Sequence, residues 1–183
     1  MLLFGKRYAD TVGRLRVPTG FLLVAVFAWF ARPTPTWMAA GIPISLAGLA
    51  LRAWAAGCLA KNQQLATGGP YAHTRNPLYL GTMLVATGLA VAAHSAGLGA
   101  LTAAVFVFIY LPVIQLEEQH LRRLFPEYST YAEAVPALWP RLRPVAWQGA
   151  AGFRAALYWR NQEYNALAGF ACGLAFLIWK MQP

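Results

Sequence analysis

The residues of this chain able to do chemistry gather in two short stretches. The first reads Gly68-Gly69-Pro70-Tyr71-Ala72-His73-Thr74-Arg75-Asn76-Pro77-Leu78-Tyr79-Leu80-Gly81, and the second opens on Glu117-Glu118. In the first, Gly-Gly-Pro permits a tight turn, and Asn76, preceding a proline, is biased away from helix, so a helix is expected to begin at Pro77. Backbone N–H groups at that helix start, beside Arg75, make a seat for an anion; an ordinary helix-entry loop with interfacial tyrosines accounts for the same residues. In the second stretch the two carboxylates directly follow an apolar run, where acids are costly unless paired or wetted. Glu118 has Arg122 at i+4, a helix-surface pair worth about 0.3 kcal/mol, whereas Glu117 has no Lys or Arg at i+3 or i+4.

Beyond the acids, Leu121, Leu124, Phe125, Tyr128 and Tyr131 recur at three- and four-residue spacing, the pattern of helical pieces lying on a membrane surface. Their rings are equally able to wall a pocket. Arg52 is the single charge in its apolar run; at 1.5 Å per residue it lies about 10 Å from Leu59, so it either snorkels to the interface or faces a buried pocket. Cys58 and Cys172 sit singly in apolar runs, and His73, His94 and His120 are scattered without an HExxH or CxxC partner. Neither a metal site nor a disulfide framework is expected.

The elements that must position these residues are membrane helices. Of 183 residues 58% are hydrophobic and only 11% charged, against roughly 25% charged in soluble proteins. Five apolar runs are candidate spans, approximately Val17 to Ala31, Trp37 to Leu59, Leu78 to Ala93, Leu98 to Leu116 and Tyr164 to Trp179, the first and third being short. Arg32, Pro33 and Pro35 read as a tight connection that makes the first two a helical hairpin.

Assigning Lys and Arg to alternate sides of these spans, with Arg52 set aside, gives twelve on one side and two on the other. The amino terminus is therefore expected in the cytoplasm of a multi-pass protein, its setting the bacterial cytoplasmic membrane and the bilayer itself a partner. The net charge of +9 is thereby explained without nucleic acid. A single domain over residues 1–183 is expected, and the run from Trp159 to Tyr164 reads as an interface anchor with no chemistry.

The loop from Gly69 to Gly81, followed by Glu117-Glu118, Leu121, Phe125, Tyr128, Tyr131 and Val135-Pro136, resembles the isoprenylcysteine carboxyl methyltransferase and phospholipid methyltransferase superfamily. The resemblance covers roughly residues 45–143, leaving 144–183 as an additional C-terminal helix. It implies an all-α integral membrane protein of about five transmembrane helices, with an interfacial helix and a cytoplasmic pocket for S-adenosylmethionine. The implied reaction is methyl transfer to a lipophilic or prenylated small molecule, most like carboxyl methylation of an isoprenylcysteine-type acid. Methylation of a phospholipid amine or a small thiol is the alternative, and a structural or transport protein the non-enzymatic one. On this resemblance Gly69, Tyr71, Arg75, Asn76, Pro77, Tyr79, Glu118, Tyr128 and Tyr131 are expected to bind the cofactor. Glu117 is expected to act as a base or ammonium contact, and Arg123 to orient an acceptor carboxylate. The chain departs from the family pattern at Asn76, where many members carry His, at Pro126, where Gly is frequent, and at Ala134, where a basic residue is usual.

Overall fold

The computed structural model describes residues 5–182, with the side chains of residues 6, 7, 9, 10 and 13–18 outside the described set. The expected basic cluster Lys6, Arg7, Arg14 and Arg16 therefore lies outside the described side chains. The described residues are helical, with no strand among them. The helices are α1 (Lys6–Phe30), α2 (Pro35–Cys58), α3 (Pro77–Ala92), α4 (Ala96–Val105), α5 (Leu111–Leu124), α6 (Tyr128–Ala134), α7 (Ala155–Arg160) and α8 (Tyr164–Lys180). A 3-10 turn, Gly69–Ala72, precedes α3, and a π turn, Phe106–Tyr110, joins α4 to α5.

Each of the five apolar runs coincides with a helix, and two helical stretches are long and apolar enough to cross a membrane: Pro35–Cys58 and Ala96–Leu124. The apolar parts of the others, Thr19–Phe30, Pro77–Ala92 and Tyr164–Lys180, are shorter. At 1.5 Å per residue, α3 and α8 are each about 25 Å long against a hydrocarbon core of about 30 Å.

Two sequence features set the architecture. The first is a seam of small residues between α2 and α3. A Cβ on Gly48 would stand 2.7 Å from the Gly81 carbonyl oxygen and 2.8 Å from the Val85 nitrogen, and Gly41 and Gly88 are similarly closed by each other's backbone. Glycine is required there because the two backbones touch, and the Ser45 hydroxyl donates across the seam to the Val85 carbonyl at 3.0 Å. The second feature is Pro112, which has no N–H to donate to Phe108 and would crowd its carbonyl. The chain widens there into the π turn, and the Phe108 carbonyl accepts from the Tyr8 hydroxyl at 2.8 Å. That bond belongs to a broader contact in which α1 lies along α5 and the π turn. The connection at Arg32 to Pro35 is as tight as expected, yet α1 takes α5 as its main partner instead of forming a closed hairpin with α2.

The main apolar cluster gathers Ala31, Met38, Ala90, Ala92, Ala93, Leu98 and Leu177 at the end of α2 and α3 away from the Gly69–Ala72 turn. There the Lys180 ammonium donates to the carbonyls of Ala28 and Trp29 at 2.6 and 3.1 Å, closing the C-terminal end of α1 with α8. The opposite end carries the polar loops.

Candidate functional site

The polar end is built on the segment between α2 and α3. Gly69 has φ of +57°, and a side chain there would also meet the Cys58 sulfur and the Trp54 ring, so glycine is needed on both counts. The turn it permits buries Tyr71 and brings Arg75, Asn76 and Pro77 to the start of α3. Residues 136–145 wrap this loop through backbone bonds: Arg75 N to Pro136 O at 2.9 Å, Arg141 N to His73 O at 3.0 Å and Val145 N to Ala72 O at 3.0 Å.

Arg75 is the hub. Its Nε and Nη2 donate to the two carboxylate oxygens of Glu118 at 2.9 and 3.1 Å, and its Nη1 donates to the carbonyls of Ala132 and Val135 at 2.5 and 2.8 Å. A fork held this way ties α3, α5 and the end of α6 together. Asn76 adds an N–H from its amide to Glu118 at 3.3 Å and to the Ala137 carbonyl at 3.1 Å. Glu118 therefore pairs with Arg75 and not with Arg122, which instead donates to the Ser129 hydroxyl and lies 5.4 Å from the Tyr128 ring centre.

Tyr128 and Tyr131 are buried, 5.9 Å apart edge to face, and the Tyr131 hydroxyl donates to the Tyr71 carbonyl at 2.8 Å. Burial pushes the hydroxyl pKa of Tyr71, Tyr128 and Tyr131 above the ordinary value, and the neighbouring Tyr131, Glu118 and Tyr128 respectively push each one the same way.

These groups surround a cavity of about 580 Å³. Tyr71, Arg75, Asn76, Pro77, Tyr79, Glu117, Tyr128 and Tyr131 line it, as the sequence brought them under suspicion. Glu117 is exposed to it and makes no hydrogen bond or ion pair with any described residue. Three expected site residues do not form its walls: Glu118 stands behind Arg75, Gly69 shapes the turn, and Arg123 is exposed on α5. Arg123 faces away because Glu117, His120 and Leu121 occupy the cavity side of α5, and residue 123 falls off that helical stripe. At position 134, the Arg141 guanidinium donates to the Ala134 carbonyl at 2.6 Å.

The cavity also has a wall that sequence reasoning did not assemble. Arg52 faces inward, and its Nε and Nη2 donate to the carboxylate of Glu163 at 2.5 and 3.0 Å. Its Nη1 reaches the Leu78 carbonyl and the Thr82 hydroxyl. Asn161 donates to the carbonyls of Ala56 and Leu59 at 2.9 Å each, capping the end of α2. The signal for Arg52 was its isolation in an apolar run. Glu163 is an acid beside an apolar helix, as Glu117 and Glu118 are, but its partner lies 111 positions away.

Residues 38–128 match the family model described as phospholipid methyltransferase. That match places residues 38–128 in the isoprenylcysteine carboxyl methyltransferase and phospholipid methyltransferase superfamily. It is also 33% identical over 138 residues to the nickel-cobalt-cadmium resistance protein NccN of Alcaligenes xylosoxydans xylosoxydans, a match covering 72% of this chain and 65% of that protein. The cobalt-zinc-cadmium resistance protein CzcN of Cupriavidus metallidurans is 33% identical over 138 residues, covering 72% of this chain and 64% of that protein. The matched segment thus spans just under two thirds of the length of these curated relatives. No solved structure matches the chain.

Proposed function

We propose that this protein is a membrane methyltransferase that uses S-adenosylmethionine and acts on a lipophilic acid. The observation that carries the reading is the convergence of two distant motifs on one cavity: Tyr71, Arg75, Asn76, Pro77 and Tyr79 from one, Glu117, Tyr128 and Tyr131 from the other. The cavity volume of about 580 Å³ suits a cofactor of this size, and its walls offer both charge signs and several rings.

Glu117, which has no partner among the described residues, would accept hydrogen bonds from the cofactor's ammonium group or ribose. The first-turn amides of α3 face its carboxylate, and Tyr71, Tyr79, Tyr128 and Tyr131 enclose the rings. Bound there, S-adenosylmethionine supplies a sulfonium methyl carbon for attack by an acceptor lone pair, the C–S electron pair staying on sulfur. Arg75 acts through Glu118 and α6 as a positioning residue. A carboxylate acceptor is ionised at neutral pH, so no general base is needed, and the residues contribute by aligning the reactants and excluding water.

In this reading all five apolar helices lie in the bacterial cytoplasmic membrane, with the amino terminus and the cavity on the cytoplasmic side, supported by the distribution of Lys and Arg. The shorter α3 and α8 reach across by local thinning and interfacial anchors such as Trp159 and Tyr164. The relatives' names speak of metal resistance, to which an enzyme that modifies a membrane component contributes without itself holding the ion. Calorimetric titration of the purified protein with S-adenosylhomocysteine tests the cofactor assignment. Saturable binding is expected, and none at millimolar ligand with a folded protein would refute it.

A further inference from the structure

Two walls of the cavity carry Arg–Glu pairs, and they differ in what they leave free. At the α5–α6 wall, Arg75 is tied to Glu118 and to two carbonyls of α6. At the other wall, built from α2, α3 and the α7–α8 junction, Arg52 is gripped by Glu163, which is only 8% exposed. Nε, Nη1 and one N–H of Nη2 are engaged there, leaving one Nη2 N–H of Arg52 without a partner among the described residues. Both oxygens of Glu163 accept from Arg52, and Glu163 is the more buried partner, so what this wall presents to the cavity is chiefly the guanidinium donor.

A second cavity of about 730 Å³ is an apolar groove between α3 and α4, lined in part by Met83, Thr87, Val91, Phe106 and Val107. Met83 follows Thr82, the hydroxyl partner of Arg52. Phe106 stacks on Tyr110 at 6.0 Å, and Tyr110 meets Tyr79 edge to face at 5.9 Å, both tyrosines lining the main cavity. From Met83 to Val91 the groove follows α3 for about 12 Å, and its Met83 end is one residue from the Arg52 partner Thr82.

We propose that Arg52, positioned by Glu163, anchors the anionic head of the lipophilic methyl acceptor, with the tail in the α3–α4 groove. The inference rests on the methyltransferase reading for the identity of the ligand and names a subsite that reading leaves open. The head is an anion because the wall presents an N–H and a guanidinium face, with the Glu163 carboxylate buried behind it. Glu163 acts through Arg52: it keeps the guanidinium at one orientation in a half-buried site where a free arginine would sample several rotamers.

The test uses the full chain in detergent with N-acetyl-S-farnesylcysteine and its primary carboxamide as probes, titrated with and without saturating S-adenosylhomocysteine. The wild type is expected to bind the acid at least tenfold tighter than the amide, and E163Q to bring that ratio to within about twofold of unity. S-adenosylhomocysteine affinity should change less than twofold in E163Q. Equal binding of acid and amide by the wild type overturns the proposal, as does an E163Q protein that keeps the ratio and merely melts earlier. If E163Q does not fold, R52K decides: it keeps the charge, loses the two-pronged grip, and should lose most of the preference, whereas a full ratio contradicts the subsite. Failure of the cofactor reading appears separately, as absent S-adenosylhomocysteine binding beside an intact acid preference.

Discussion

The Arg75 guanidinium and the Glu118 carboxylate lie 43 positions apart in the chain and meet through two parallel hydrogen bonds of 2.9 and 3.1 Å. The pair fastens the loop before α3 to the end of α5 in the same stroke that Arg75 takes up two carbonyls of α6. The cavity's shape therefore depends on this pair, whose arginine stands in the cavity wall.

Removing Arg75 leaves Glu118 as a partly buried charge with only the Asn76 amide and the Tyr128 hydroxyl beside it. R75A is expected to destabilise the fold by about 3 kcal/mol, the range for breaking an ion pair shielded from water. Thermal unfolding in detergent should show a clear fall in Tm together with loss of S-adenosylhomocysteine binding. R75K, which cannot make the fork, should recover part of the stability but little of the binding. A wild-type Tm for R75A would contradict the role given to this pair.

Glu117 predicts the opposite pattern. Because it makes no bond to any described residue, E117Q should leave Tm unchanged and weaken S-adenosylhomocysteine by about tenfold, the ~1.4 kcal/mol expected for one charge-assisted hydrogen bond. A calorimetric titration of the variant checks this, and unaltered affinity would remove Glu117 from the site.

How much of this was legible in the sequence divides along the range of the interactions involved. The start of α3 at Pro77 followed from local rules, since Asn76-Pro77 constrains the backbone within two residues. The pairing of Glu118 did not: spacing offered Arg122 one turn away, and the structure chooses Arg75 because it brings two hydrogen bonds in place of an exposed surface contact. The inward direction of Arg52 stayed open for the same reason, as its partner comes from the far end of the chain. The run around Glu163 looked like an interface anchor because aromatic and polar residues before a helix do serve that purpose, and only folding carries Asn161 and Glu163 to the cavity. Arg123 lies one residue off the stripe of α5 that lines the cavity, a phase set by how the helix packs and not by the spacing of its charges.

The buried tyrosines give a pH signature. Tyr71, Tyr128 and Tyr131 have hydroxyls raised above the ordinary 10.0, so the unfolded chain gives up these protons first. The stability they contribute is complete below pH 10 and falls as pH rises from there through the higher folded-state values. Unfolding followed between pH 8 and pH 12 should show Tm falling only above about pH 10. Y131F removes one of the three groups and the bond to the Tyr71 carbonyl, so it should lower stability near neutrality by about 1 kcal/mol and flatten the alkaline decline.

The glycine seam links packing to the site. In G48V the new side chain would press on the backbone of Gly81 and Val85, forcing α2 and α3 apart. Since Arg52 and Thr82 face each other along that same seam, the variant should lose both folded yield and the preference for the acid probe. Size-exclusion profiles alongside the probe titration measure the two effects together, and a monodisperse G48V protein with intact preference would contradict the coupling.

The central claim is methyl transfer to a lipophilic acceptor, and one measurement meets it directly. Purified protein in nanodiscs of bacterial lipid extract is incubated with methyl-labelled S-adenosylmethionine, and the organic phase is counted before and after mild base. The account predicts label in the organic phase, released as volatile methanol by base, and at least a tenfold lower signal for E117A. No transferred label from a wild-type protein that binds the cofactor product would contradict it.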